Sequence, residues 1–313
     1  MTPEIDGGGG FHYFLYLPKS LRKGAKYPVV YLMDPGGGKP GTASRYQAGA
    51  ERNRWIIAVS KESRNQLEPS NEPIDAMIKH VKASLPIDPE RQYISGMSGG
   101  AREAFLASQR HKVIAGIIAC GAGGSPGSGK QLVYGLCGSN CYNRTDMANS
   151  FRSIKSKGSL LRYFIGLHVW ADAELCDDAI THLNGVFLAK NKAAYPAGDA
   201  WFSEQVGKLI AESETANPAR AYMWACFMKD YGYQSPAATA ALASLGKDPL
   251  NPLFVKGLTD VGDFAQKTFG EVSSSQWQAD PKVSAACLRE AKKFPGSFWE
   301  KVLTKMAEHA QKF

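Results

Sequence analysis

Gly96-Met97-Ser98-Gly99-Gly100 places a hydroxyl among glycines. The β-branched and aromatic run Tyr93-Ile94 comes just before it, and an alanine-rich helical pattern follows at once. G-x-S-x-G between a strand and a helix marks a nucleophile. Small neighbours let the strand and the helix approach closely. The helix N-terminus then points free N–H groups at the space beside the hydroxyl, where an oxyanion would form. The competing reading is a phosphate-binding turn. Neither G-x-x-x-x-G-K-[ST] nor G-x-G-x-x-G follows a strand here, which weakens it.

A serine at its ordinary pKa needs a base. Of the six histidines, only His168, in "YFIGLHVWAD", directly follows a strand signal late in the chain and after the serine. That is the order serine, acid, histidine. Gly99 is the expected first oxyanion donor. Gly36 or Gly37, in "DPGGG" after the strand ending at Met33, is the expected second.

The acid is less defined. The loop after "QLVYGLCG" reads Ser139-Asn140-Cys141-Tyr142-Asn143 and holds no carboxylate. Asp146, in the opening turn of the next helix, is one candidate. It also reads as an ordinary first-turn carboxylate that favours the helix dipole. Asp172 and Glu174 read as helix-start residues. A dyad is the third option, with Asn140 or a backbone carbonyl orienting the imidazole. Arg64 or Asn65, in "ESRN" on the same edge as Ser98, and Trp170 are candidates for lining the substrate site.

The elements that must carry these groups alternate along the first 188 residues. Strand signals fall at 11–18, 27–34, 54–61, 91–98, 113–123, 131–138 and 160–170, with helical patterns between the later ones. The run 27–34 is almost continuously apolar, as a fully buried parallel strand should be. Such alternation predicts an α/β fold, a doubly wound and mainly parallel sheet with right-handed crossovers. After about residue 190 the strand signals stop and amphipathic helices follow without a strict repeat period. "KNKAAYPAGD" is the expected boundary between a domain at 1–189 and a helical C-terminal domain at 190–313.

Composition narrows the function classes. The chain has 313 residues and a formal charge of +8, with most of the positive excess before residue 189. The densest basic patch, "KSLRKGAK", has no interleaved stacking aromatics, so nucleic acid is not an expected partner. No apolar run reaches the length of a membrane span. The N-terminus shows no basic region followed by an apolar one, so no signal peptide is visible. The six cysteines, at 120, 137, 141, 176, 226 and 287, form no C-x-x-C pair, which argues against zinc or thioredoxin-like chemistry.

On "YLMDPGGG", "AVSKESRN", "LPIDPERQYISGMSGGAREAF", "IIACGAG" and "FIGLHVW", residues 11–188 resemble the α/β-hydrolase superfamily. Within it they resemble the polyhydroxybutyrate depolymerase and feruloyl esterase-like branch carrying a helical C-terminal extension. The resemblance implies Ser98 as nucleophile, His168 as base, and backbone donors at Gly99 and near Gly36. It implies no metal or organic cofactor, an ester substrate, polymeric in some relatives, and a secreted or periplasmic setting. In that branch the acid loop reads G-x-x-D-x-N, and here Cys141 falls where the acid is expected. A disulfide from Cys141 to Cys137 or Cys120 would make it structural. The expectation is a serine esterase. The alternatives are a catalytically weakened hydrolase fold used for binding and a serine peptidase.

Overall fold

The computed structural model describes residues 1–66, 71–138, 141–164, 166–245, 261, 264, 267–268 and 281–311. Eight strands form one sheet: β1 (Ile5–Gly8), β2 (Phe11–Tyr16), β3 (Tyr27–Met33), β4 (Ile56–Ser60), β5 (Ile87–Met97), β6 (Ile114–Cys120), β7 (Leu132–Gly138) and β8 (Leu160–Phe164). Their order is β1-β2-β4-β3-β5-β6-β7-β8. The pairs β1–β2 and β2–β4 are antiparallel, and every pairing from β4 through β8 is parallel. The chain has the expected α/β architecture, a doubly wound and mainly parallel sheet followed by a helical region. The parallel strands end on one edge, and the order reverses between β3 and β5. Open α/β sheets bind ligands at such a crevice.

Strand periodicity divides the core. Val30, Leu32, Ile57, Val59, Tyr93 and Met97 face one layer, and Val29, Tyr31, Met33, Ile56, Ala58 and Ile94 face the other. The second layer is closed by α3 (Glu72–Ser84), through Ile74, Met77, Ile78 and Val81, and by α4 (Gly99–Arg110). The first is closed by α6 (Ala173–Lys190), with α7 (Pro196–Ala216), α8 (Pro218–Asp230) and α9 (Pro236–Leu245) packed beyond it. That apolar cluster runs without interruption from β3 to Ala241, across residue 190.

Buried charge ties the helices to the sheet. Arg220 pairs with Asp177 at 2.9 Å and Asp178 at 2.8 Å. Arg162 on β8 reaches Asp178 at 2.6 Å, and Trp224 Nε1 donates to the same carboxylate. Removing one member would leave an uncompensated buried charge. A separate small core joins α10 (Pro281–Ala291) and α11 (Phe298–Gln311) around Val283, Cys287, Phe294, Leu303 and Met306, with Tyr163 of β8 against it.

Three local details add to this picture. The segment between β3 and β4 opens on "PGGGKPG", which shows little helical content, yet it contains α1 (Pro40–Ser44) and α2 (Gln47–Asn53). The N-terminal strand β1 carries too little apolar signal to be read. Asn71 stands at the N-cap of α3 in helical conformation, and its side chain donates to Asp75 rather than capping the backbone.

Candidate active site

Ser98 sits between β5 and α4 with φ 54° and ψ −118°, a conformation that costs a side-chain-bearing residue about 1–3 kcal/mol. Packing over-determines it. A Cβ on Gly96 would overlap the backbone of Gly100, and one on Gly100 would lie 2.6 Å from the Met33 carbonyl oxygen. The glycines therefore let α4 start directly against β5 and β3. The backbone N–H of Ser98 donates to Cys120 O at 2.8 Å, which fixes the turn to the end of β6.

The structure brings Ser98 and His168 together: Oγ lies 2.8 Å from Nε2. His168 belongs to the segment leaving β8. Gly138, at the end of β7, has no Cβ to block that segment where Gly166 and Leu167 pass over it. The Tyr142 ring lies 4.0 Å from the imidazole between centroids, tilted by 35°.

On the far side of the imidazole stands Cys141. Its Sγ is 3.1 Å from His168 Nδ1 and accepts the backbone N–H of Asn143 at 3.4 Å. The residue is buried, and all six cysteines are free, so neither Cys137 nor Cys120 is bonded to it. Burial pushes the thiols of Cys120 and Cys137 up. Cys141 is pushed down instead, first by the hydrogen bond with Cys137 and next by His168.

Asp146 does not face the histidine, which corrects the carboxylate candidate. It opens α5 (Arg144–Ser153), pairs with Arg102 at 3.3 Å, and accepts the Gly123 N–H at 3.0 Å. The distance from Nδ1 to the next loop is spanned by Cys141, a residue position that lies before α5 begins. Asp172 caps α6 by accepting from Leu175 N, and Glu174 meets Arg220 and Asn217. Asn140 lies outside the described residues.

The loop after β3 approaches from the other side. Both expected donors in it are engaged by Asp34: Gly36 N–H donates to Oδ1 at 2.9 Å, and Gly37 N–H donates to the Asp34 carbonyl at 3.0 Å. Asp34 Oδ2 accepts from Trp170 Nε1 at 2.8 Å. That bond joins the loop to the segment carrying His168, a link the sequence does not disclose. Arg64 bridges Gly36 in antiparallel fashion, and Asn65 N–H donates to Pro35 O at 2.9 Å. The exposed amide of Asn65 lies against Gly99. Arg64, Asn65 and Trp170 thus surround the loop–serine corner. Among the described residues no group of three or more His, Cys, Asp or Glu has the arrangement of a metal site. None of the described helices is long and apolar enough to cross a membrane.

No family model matches the chain, and no curated protein does. Solved structures similar in shape include a ferulic acid esterase, 18% identical with a TM-score of 0.43, covering 54% of this chain and 88% of that one. A thermophilic and thermostable carboxylesterase, EstE1, from a metagenomic library is 15% identical at 0.48, covering 58% and 87%. The S-formylglutathione hydrolase FrmB of Staphylococcus aureus is 12% identical at 0.44, covering 55% and 90%. The likeness extends over little more than half of this chain.

Proposed function

We propose that the protein is a serine hydrolase of carboxylic esters. One observation carries this reading: Ser98 Oγ, on a strained strand-to-helix corner, lies 2.8 Å from Nε2 of His168. In the reaction Oγ bonds to the acyl carbon while its proton passes to Nε2. The tetrahedral oxyanion is held by the Gly99 N–H and by the Gly36 or Gly37 N–H, released from or shared with Asp34. The ester C–O bond then breaks, and Nε2 returns the proton to the leaving alcohol. Water, deprotonated by the same imidazole, attacks the acyl-enzyme and frees Ser98.

Residues 121–131 connect β6 to β7 as a short loop and leave no room there for a lid domain. An open site of this kind suits bulky donors, such as acyl or feruloyl groups on a polysaccharide, or a polyester. Arg64 and Asn65 would meet the substrate's polar groups, and Trp170 its apolar face.

A second reading is a weakened hydrolase fold retained for binding. It draws on the engagement of both the Gly36 and Gly37 N–H groups by Asp34. Rapid mixing with p-nitrophenyl acetate and butyrate separates the two readings. The esterase reading expects a burst of one nitrophenolate per chain, followed by turnover, with both lost in Ser98→Ala. Binding without a burst would support the second reading. Turnover that survives Ser98→Ala would overturn the first.

A further inference from the structure

We propose that Cys141 is the third member of the catalytic assembly, an anionic thiolate that takes a carboxylate's place behind His168; this rests on Ser98 and His168 acting as nucleophile and base. Three features of geometry carry it. First, Cys141 Sγ is 3.1 Å from Nδ1 while Nε2 faces Ser98 at 2.8 Å, so the sulfur stands where an orienting group must stand. Second, donors converge on the sulfur. The Asn143 backbone N–H points at it, the Cys137 thiol lies within hydrogen-bond reach, and His168 Nδ1 donates to it in the tautomer that leaves Nε2 free to accept from Ser98. A neutral thiol would donate to Nδ1 or to Gly121 O at 3.9 Å; donation to Nδ1 would put the ring proton on Nε2 and leave Ser98 without a base. Third, Cys141 lies just before α5, where the helix N-terminus favours negative charge.

The titratable and charged groups around it are His168 beyond β8, Tyr163 on β8, Cys137 on β7, Cys120 on β6 and Arg144 at the start of α5. Burial pushes the pKa values of Cys120, Cys137 and Tyr163 up, against ionisation. Of these groups Cys141, beside the imidazole, is the one pushed towards its anionic form.

The thiolate acts as a positioning group and never transfers a proton. It accepts Nδ1–H, which selects the tautomer with a free lone pair on Nε2, and it stabilises the imidazolium that forms when Ser98 attacks. A buried carboxylate does this in serine proteases, and losing its charge there costs about 10⁴-fold in kcat. A sulfur anion is larger and softer, and its charge is more diffuse. It would hold the ring less firmly while still supplying the missing charge.

The test uses the full chain and the rate of covalent labelling by a fluorophosphonate. Wild type is compared with Cys141→Ser, Cys141→Ala and Cys141→Asp across pH. Loss of the charge in the Ser and Ala variants is expected to slow labelling by about 10²–10³-fold. Cys141→Asp is expected to restore it to within about tenfold of wild type. Thiolate ultraviolet absorbance gives a readout independent of activity. Wild type at neutral pH should show one thiolate that disappears on acidification and is absent from Cys141→Ser. The buried thiols of Cys120, Cys137 and Cys176 stay silent there. If Cys141→Ala fails to fold, the Ser variant and the absorbance decide. Equal labelling rates and pH profiles in wild type and Cys141→Ser would overturn the proposal, as would absence of the neutral-pH thiolate. Absence of labelling in wild type would instead overturn the serine-hydrolase reading itself.

Discussion

The turn that carries Ser98 and the loop that carries Cys141 flank one histidine, yet they are specified in different ways. At the serine turn, sterics fix almost every residue. Gly96 and Gly100 pass against backbone, and Ser98 is held at positive φ by that contact. At the cysteine loop, no backbone constraint names the residue. The side chain is defined by what converges on it: Nδ1 of His168, the Asn143 N–H and the Cys137 thiol. Backbone geometry leaves a local pattern in sequence, whereas convergence from three elements leaves none.

The largest effect that would break this contrast is on the serine turn. Gly96→Ala puts a methyl into the Gly100 backbone. Overpacking against backbone that cannot yield is expected to cost about 3 kcal/mol, read by denaturant unfolding. A near-neutral result would mean that the turn is not sterically determined.

Next comes the link between the base segment and the loop after β3. Trp170→Phe keeps the packing against Tyr46 and removes the bond to Asp34. Ester turnover is expected to fall about tenfold through misplacement of the loop, with folding retained. No change would separate that loop from catalysis.

Acid behaviour sharpens the comparison, because a second group titrates near the same range. His182 is packed between Tyr134 and Phe227 and donates to Gly158 O at 2.7 Å. Burial pushes its pKa from 6.5 down to about 4. The unfolded chain takes the proton first, so stability is full above about pH 6.5 and is lost as pH falls towards 4. Discounted for the solvent that reaches the half-buried ring, the loss is about 2 kcal/mol. His182→Gln should flatten this dependence in thermal melts while leaving the thiolate absorbance of Cys141 untouched. A shared response of both signals would mean that acid unfolding, not titration of Cys141, is being observed.

The smallest effect belongs to Asp146. Its partner Arg102 is half exposed, and such pairs contribute about 0–1 kcal/mol. Asp146→Ala should leave ester turnover unchanged in a steady-state assay. A large loss would return Asp146 to the site and break the assignment of Cys141.

The sheet, the serine turn and the position of His168 were legible because each rests on short-range signals. Continuous apolar runs mark the parallel strands, glycines mark the corner, and a lone histidine stands at the end of a late strand. Asp146 is the first carboxylate in the right stretch of chain. Sequence distance does not report that its side chain turns towards Arg102 and Gly123. Cys141 occupied the acid's position in the pattern, but an isolated thiol gives no sign of the donors that gather round it on folding. The Trp170–Asp34 bond spans 136 residues and had no local signature. The helices at 40–53 were hidden by a glycine- and proline-rich start.

The most direct test of the central claim is intact-mass analysis after fluorophosphonate treatment, followed by peptide mapping. A single adduct on Ser98, absent in both Ser98→Ala and His168→Ala, is the expected result. A folded wild-type protein that takes up no label, or takes it up at another residue, would contradict the assignment of Ser98 and His168 as a working nucleophile–base pair.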